Sequence, residues 1–237
     1  DDGLRRMPRD RAQAAMERRA AGINRALTKE YGEKSACAEE EPVDTLVETI
    51  LSQNTTDVNS HRSFVSLKSA YGDWHDLLGE EHSKVSRIIR SGGLPDIKAR
   101  RILDALEFID RERGRIELDF LRDMTPAEAD RWLAQMKGVG PKTRSIVLLF
   151  SLGMAAFPVD THIHRVTRRL GLIGPKVSRE GAQEELAALV PESQYYNFHI
   201  NLIEHGRAVC RARKPACGAC VVSRHCDHFA RAPKAQP

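Results

Sequence analysis

Long apolar runs are missing from this 237-residue chain, and none approaches the roughly 20 residues that a membrane-spanning helix needs. No membrane partner is therefore expected. The opening Asp1-Asp2-Gly3-Leu4-Arg5-Arg6 lacks the apolar stretch of a secretory signal, so a cytoplasmic setting is the expectation. Aromatic residues make up only 5%, too few for a general platform on which single-stranded bases stack. Excess charge is small: 37 basic residues face 33 acidic ones, a formal net charge of +4. Any nucleic-acid footprint must then come from local clustering of cations. There is no repeat of fixed period and no low-complexity linker. What is there has an ordinary globular balance, 41% hydrophobic and 30% charged, enough for one large domain or two small ones.

Cysteine is scarce too, five residues in all, yet four of them crowd the end of the chain. Cys210, Cys217, Cys220 and Cys226 follow the spacing C-x6-C-x2-C-x5-C. Four thiolates so gathered complete one metal site without help, and both structural zinc and iron–sulfur clusters use such a set. The spacing leaves the metal's identity open. Cysteines held on a metal are not a disulfide framework. The fifth, Cys37, reads as a small buried hydrophobe.

The rest of the chain reads as all-α. Apolar residues recur at helical spacing over about 8–31, 42–53, 57–71, 82–92, 95–113, 125–136, 141–153, 162–171, 178–190 and 193–209. Thr125-Pro126-Ala127-Glu128 carries a capping residue, a first-turn proline and an early acid. Only Arg115–Leu118 resembles a strand, and it is too short to support a sheet. The Pro/Ala-rich end from Arg231 to Pro237 reads as a frayed tail.

Between two of these helices lies Met136-Lys137-Gly138-Val139-Gly140-Pro141-Lys142-Thr143. Two glycines flanking Val139 permit a tight turn with bare N–H groups, and the following helix N-terminus adds unsatisfied donors and partial positive charge. Such a turn suits a DNA phosphate and is blind to base identity. G-x-G turns that bind nothing are also common between helices. Further on, Asp160 in Phe157-Pro158-Val159-Asp160-Thr161-His162-Ile163-His164 stands where an N-cap is expected. His162 and His164 lie two apart and diverge on a helix, which makes them a poor metal pair. Lys142 and Asp160 would supply an amine nucleophile and a carboxylate if their helix N-termini opened onto one cleft.

In order and spacing, the M-K-G-V-G-P-K-T stretch, V-D-T-H-I-H-R-V and the four-cysteine tail resemble the endonuclease III family of DNA glycosylases/AP lyases. The resemblance implies a two-domain helix-hairpin-helix glycosylase fold: a six-helix barrel over 35–154, and a discontinuous iron–sulfur domain from 1–34 and 155–237. It implies that Lys142 is the catalytic lysine, Asp160 the essential aspartate, and Cys210, Cys217, Cys220 and Cys226 the ligands of a [4Fe–4S] cluster rather than zinc. The partner would be damaged double-stranded DNA, bound by a monomer in the cytoplasm at the nucleoid, with the target base flipped out of the stack. Leu51-Ser52-Gln53-Asn54-Thr55-Thr56-Asp57 resembles the family segment that fills the gap left by that base, with Asn54 where relatives carry glutamine. Gly92-Gly93-Leu94-Pro95 resembles a loop whose leucine wedges between bases. DNA contacts are thus expected from Gln53, Asn54, Leu94, Lys137, Gly138, Val139 and Gly140.

The chemistry implied is removal of an oxidised or damaged pyrimidine through an imine on Lys142, then cleavage 3′ of the site by β-elimination. Attack needs a neutral amine, yet a free lysine keeps its proton to about pH 10.4. A helix N-terminus supplies only about 0.3–1 kcal/mol against that proton, so desolvation by the flipped nucleotide or proton transfer to a carboxylate must supply the rest. Arg207, Arg211, Arg213 and Lys214 surround Cys210 and would form a basic face held by the metal loop. The alternatives are a monofunctional adenine- or thymine-mismatch glycosylase, whose family members lack lysine at the hairpin position, and a non-catalytic helix-hairpin-helix DNA-binding module.

Overall fold

The computed structural model describes residues 8–35 and 40–231. Cys37, the opening six residues and the tail beyond Arg231 lie outside the described residues. The chain divides into two compact units, one of Cys37–Met154 and one of Asp1–Ala36 with Ala155–Pro237. Among the described residues all regular structure is helical, and no helix is long and apolar enough to cross a membrane.

The unit Cys37–Met154 is built around helix α2, Pro42–Ser52. Eight of its eleven residues are buried, including Val43, Leu46, Val47, Ile50 and Leu51. A helix apolar nearly all round must be wrapped by others. Around it pack α3 (Asp57–Ala70), α5 (Pro95–Arg113) and α7 (Pro141–Ile146), while α4 (His82–Ile88) lies on α3 and α5, and α6 (Pro126–Leu133) on α7. The α6 start is a complete capping box, with Thr125 Oγ1 accepting from the Glu128 N–H and Glu128 accepting from the Thr125 N–H at 2.9 Å.

Two helices end earlier than their apolar spacing suggests. The 82–92 stretch breaks after Ile88 and continues as a 3-10 turn over Arg90–Gly92, where the Ile89 carbonyl accepts from the Gly92 N–H at 3.0 Å and from the Ser63 hydroxyl at 3.2 Å. The 141–153 stretch widens after Ile146 into one π-helical turn, Val147–Ser151. The widening keeps Val147, Leu148 and Leu149 buried and brings Ser151 inward, where its hydroxyl donates to Thr45 Oγ1 at 2.6 Å. Arg115–Leu118 forms no strand: Arg115 and Ile116 lie in a bend, and Glu117 and Leu118 are irregular.

The second unit contains α1 (Pro8–Tyr31), α8 (Thr161–Leu170), α9 (Arg179–Leu189), α10 (Tyr195–Ala208) and α11 (Asp227–Arg231). Helix α10 lies between α1 and α8. Its contact with α1 is polar but fully paired at Asn197. The Asn197 amide donates to Asn24 Oδ1 and Thr28 Oγ1 at 3.1 and 2.8 Å, and its oxygen accepts from the Lys34 N–H at 2.9 Å. Buried hydrogen bonds of this kind fix the register of two helices that apolar packing alone would let slide.

Candidate functional site: a glycine hairpin, a capped helix and four cysteines

The hairpin joins α6 to α7. Gly138 takes φ +86°, a left-handed conformation that L side chains adopt at a cost of about 1–2 kcal/mol. A Cβ there would also meet the Arg101 stem at 2.8 Å. Gly138→Ala is therefore expected to lower the melting temperature by about 2–8 °C, from about 1–2 kcal/mol at 2–4 °C each. An unchanged melting curve would show that the turn has room the geometry denies. Val139 is only 4% exposed, and its N–H donates to Met136 O at 3.2 Å. The structure thus gives Val139 a packing role under the turn and leaves Lys137, Gly138 and Gly140 exposed. The next helix opens with Pro141 at its first position and Lys142 at its second. The Lys142 side chain is half-buried and has no hydrogen-bond or ion-pair partner among the described residues. Beneath it, Arg144 donates to Asp130 Oδ1 at 2.8 Å and to Val139 O at 3.3 Å, tying the hairpin to α6.

In the same unit the two loops named from the sequence occupy unusual backbone. Asn54 and Leu94 both have positive φ, +54° and +50°. Asparagine tolerates that region, whereas a bulky leucine there is a true outlier. Both side chains are exposed, Leu94 by 49%. Gln53 is different: half-buried, with its carbonyl oxygen held by the Arg101 guanidinium. The structure separates the pair, one amide engaged and one presented.

Asp160 lies in the second unit as the N-cap of α8. The segment before it is pinned: Phe157 packs against Tyr195 and Phe198, and His199 Nδ1 donates to Pro158 O at 3.0 Å. Oδ1 of Asp160 accepts from the Ile163 N–H at 2.7 Å, and the carboxylate is half-buried. His162 contacts Arg165 and His164 Nε2 contacts Val177 O, so neither histidine faces the other.

The four cysteines, none in a disulfide, line one small cavity of about 20 Å³ together with Val166, Leu170 and Phe229. Burial pushes the Cys220 thiol up from its ordinary value, and the other three cysteines push the same way. Thiols that share a pocket and repel one another as thiolates fit a cationic group bound among them. Among the described residues no three His, Cys, Asp or Glu side chains converge on a single-ion site. Two side chains reach the sulfurs from outside the loop. Arg169 Nη1 lies 3.4 Å from Cys210 Sγ, and His205 Nε2 lies 3.4 Å from Cys220 Sγ. Burial holds His205 down to about 4, so it is neutral near pH 7, and Tyr31 contacts its Nδ1 at 2.9 Å. Arg169 also donates to Arg211 O and Ala212 O, and Arg165 to Cys210 O and Gly206 O. Arg211, Arg213 and Lys214 are exposed.

Sequence reasoning missed these α8 arginines, the buried His205 and the Lys98–Arg101 pair. A carbonyl clamp leaves no local signal: arginines one turn apart read as an ordinary solvated face.

A glycine turn between two helices, an aspartate-capped helix and a four-cysteine segment together define a helix-hairpin-helix protein with a metal loop. Residues 47–192 match the model of the HhH-GPD superfamily base excision DNA repair proteins, and residues 210–226 match the iron–sulfur binding domain of endonuclease III. The chain is 35% identical to endonuclease III of Sulfolobus acidocaldarius over 78% of its own length and 81% of that protein's. It is 38% identical to an Arabidopsis thaliana protein assigned as a DNA glycosylase, over 74% of this chain and 60% of the plant protein, which is the longer of the two. A solved structure of a trapped endonuclease III–DNA covalent intermediate superposes with a TM-score of 0.78 at 26% identity, covering 90% of this chain and 97% of that one. The chain belongs to the HhH-GPD superfamily of base excision DNA repair proteins, as a DNA glycosylase of the endonuclease III type.

Proposed function

We propose that the protein removes oxidised or otherwise damaged pyrimidines from duplex DNA and cuts the strand as an AP lyase, with Lys142 as nucleophile. The observation that carries this reading is Lys142 itself: second residue of α7, directly after the hairpin, half-buried and unpartnered among the described residues. An amine tied into an ion pair would first have to be released. This one has no such pair to break and needs only to give up its proton.

In the proposed sequence Lys142 Nζ bonds to C1′ of the flipped deoxyribose, and the C1′–N bond breaks with its electron pair leaving on the base. Opening of the sugar ring gives a protonated imine. The imine acidifies the C2′–H, and loss of that proton expels the 3′ phosphate. Asp160 spends Oδ1 on its helix, and Oδ2 is the atom we assign to the positive charge growing on the sugar or to the lysine proton. Exposed Gly138, Gly140 and Lys137 would hold a phosphate without reading sequence. Asn54, presented while Gln53 is held by Arg101, would fill the gap in the duplex, and Leu94 would wedge the neighbouring step. Cys210, Cys217, Cys220 and Cys226 would bind a [4Fe–4S] cluster, which when bound supplies a structural cross-link for the loop bearing Arg211, Arg213 and Lys214.

The test is borohydride trapping on a duplex carrying one oxidised pyrimidine. Wild type should give a covalent adduct; clean base release without one would point to a monofunctional glycosylase, and binding with neither, across a lesion panel, to a module that only binds. Asp160→Asn sharpens it. Asparagine caps as well as aspartate, so the melting temperature should stay put while base release falls about 10²–10³-fold. A parallel loss of stability and activity would reduce Asp160 to a helix cap.

A further inference from the structure

Lys98 is 1% exposed, among the largest fully buried side chains of the described residues, and no carboxylate pairs with it. Its ammonium donates instead to two backbone carbonyls, Leu51 O at 2.7 Å and Gly92 O at 2.7 Å. Leu51 belongs to the last turn of α2, two residues before Gln53 and three before Asn54; Gly92 stands two before Leu94. A single cation thus ties together the roots of both turns whose exposed residues have left-handed backbone. One turn along α5, Arg101 performs the matching task, its guanidinium on Gln53 and its stem against Gly138 of the hairpin. Burial and the charge of Arg101 both press the Lys98 ammonium toward its neutral form. An apolar residue would avoid that conflict but would leave the Leu51 and Gly92 carbonyls without this donor. Strained, exposed side chains persist only where the surroundings over-determine them.

We propose that Lys98 and Arg101 are positioning residues that preset Asn54 and Leu94 as a rigid two-pronged wedge before DNA arrives, so that opening the base stack incurs no loop-ordering cost. The proposal rests on the reading of those two side chains as duplex-entering groups. It makes a prediction that a merely structural lysine does not: loss should fall on the step that unstacks bases and spare the grip on phosphates.

The test needs no catalysis. Wild type, Lys98→Met and Arg101→Gln are bound to a duplex carrying a stable abasic analogue beside 2-aminopurine, and to the same duplex undamaged. Wild type should prefer the abasic duplex and brighten the fluorophore by unstacking it. Lys98→Met should lose at least about tenfold in affinity for the abasic duplex and most of the brightening, yet bind the undamaged duplex within about threefold, since pre-organisation is what it removes. Arg101→Gln, at a half-buried position, should move the same way to a smaller extent and decides the matter if Lys98→Met does not fold. Equal losses on both duplexes, no loss on either, or a wild type that unstacks nothing would each overturn the proposal. Failure of borohydride trapping with unstacking intact would strike the glycosylase/lyase reading instead.

Discussion

Lys142→Ala is expected to erase the borohydride-trapped protein–DNA adduct and to slow base release by on the order of 10³-fold or more, as loss of a nucleophile does in other covalent enzymes. The variant is a clean one. Alanine is the best helix former, and Lys142 stands in the first turn of α7, where a cation is poorly placed against the helix dipole. No hydrogen bond or ion pair among the described residues is broken by its removal. The melting temperature should therefore hold or rise slightly, and lost activity reports chemistry. Lys142→Arg separates the two things a lysine does at a hairpin. Arginine keeps the positive charge near the phosphates but does not give up its proton, so it cannot form an imine. DNA affinity should survive in Lys142→Arg while the adduct disappears. An adduct that persists in either variant would move the nucleophile to another amine.

Features whose physics is local were legible in the sequence; those made by distant partners were not. The α6 capping box follows from Thr125, Pro126 and Glu128 alone, because a cap is satisfied within four residues. Gly138 and Gly140 mark the hairpin for the same reason, and Asp160 is read as an N-cap from its neighbours. Helix ends are less local. Periodicity across 82–92 and 141–153 continues unbroken, yet the first tightens into a 3-10 turn whose Ile89 carbonyl also meets Ser63, 26 residues away, and the second widens where Ser151 meets Thr45. Lys98 is the extreme case. In Pro95-Asp96-Ile97-Lys98-Ala99 it reads as a solvated first-turn lysine, whereas one of its two acceptors lies 47 residues distant in sequence. The burial of Val139 is hidden in the opposite direction. It sits between exposed glycines in a turn that reads as all contact surface, yet apolar burial claims it.

Cys220→Ser should bleach the visible iron–sulfur absorption and lower the melting temperature by more than about 8 °C, the equivalent of at least about 4 kcal/mol. The size follows from what the loop has besides its sulfurs. Between Cys210 and Cys226 only Val222 is fully buried, and regular structure is limited to two 3-10 turns, Cys217–Ala219 and Ser223–His225. Ordering the backbone of that many residues costs on the order of 17 kcal/mol, at roughly 1 kcal/mol each. One buried valine returns about 1.5–3 kcal/mol. The carbonyl clamps of Arg19 on His225 O, Arg165 on Cys210 O and Arg169 on Arg211 O and Ala212 O add about 1.5–3 kcal/mol per charged hydrogen bond at best. That leaves several kcal/mol to a group that cross-links the four cysteines, within the range that bound metals contribute to small domains. Loss of one ligand should therefore open the loop, and trypsin should cut after Arg211 and Arg213, already exposed in the folded chain, far faster than in wild type. Affinity for undamaged duplex should drop together with its salt dependence, as the basic face disperses. A colourless wild type holding one zinc per chain would replace the cluster by zinc and keep the staple. A Cys220→Ser protein with unchanged melting and tryptic pattern would mean that Arg19, Arg165 and Arg169 hold the loop without it.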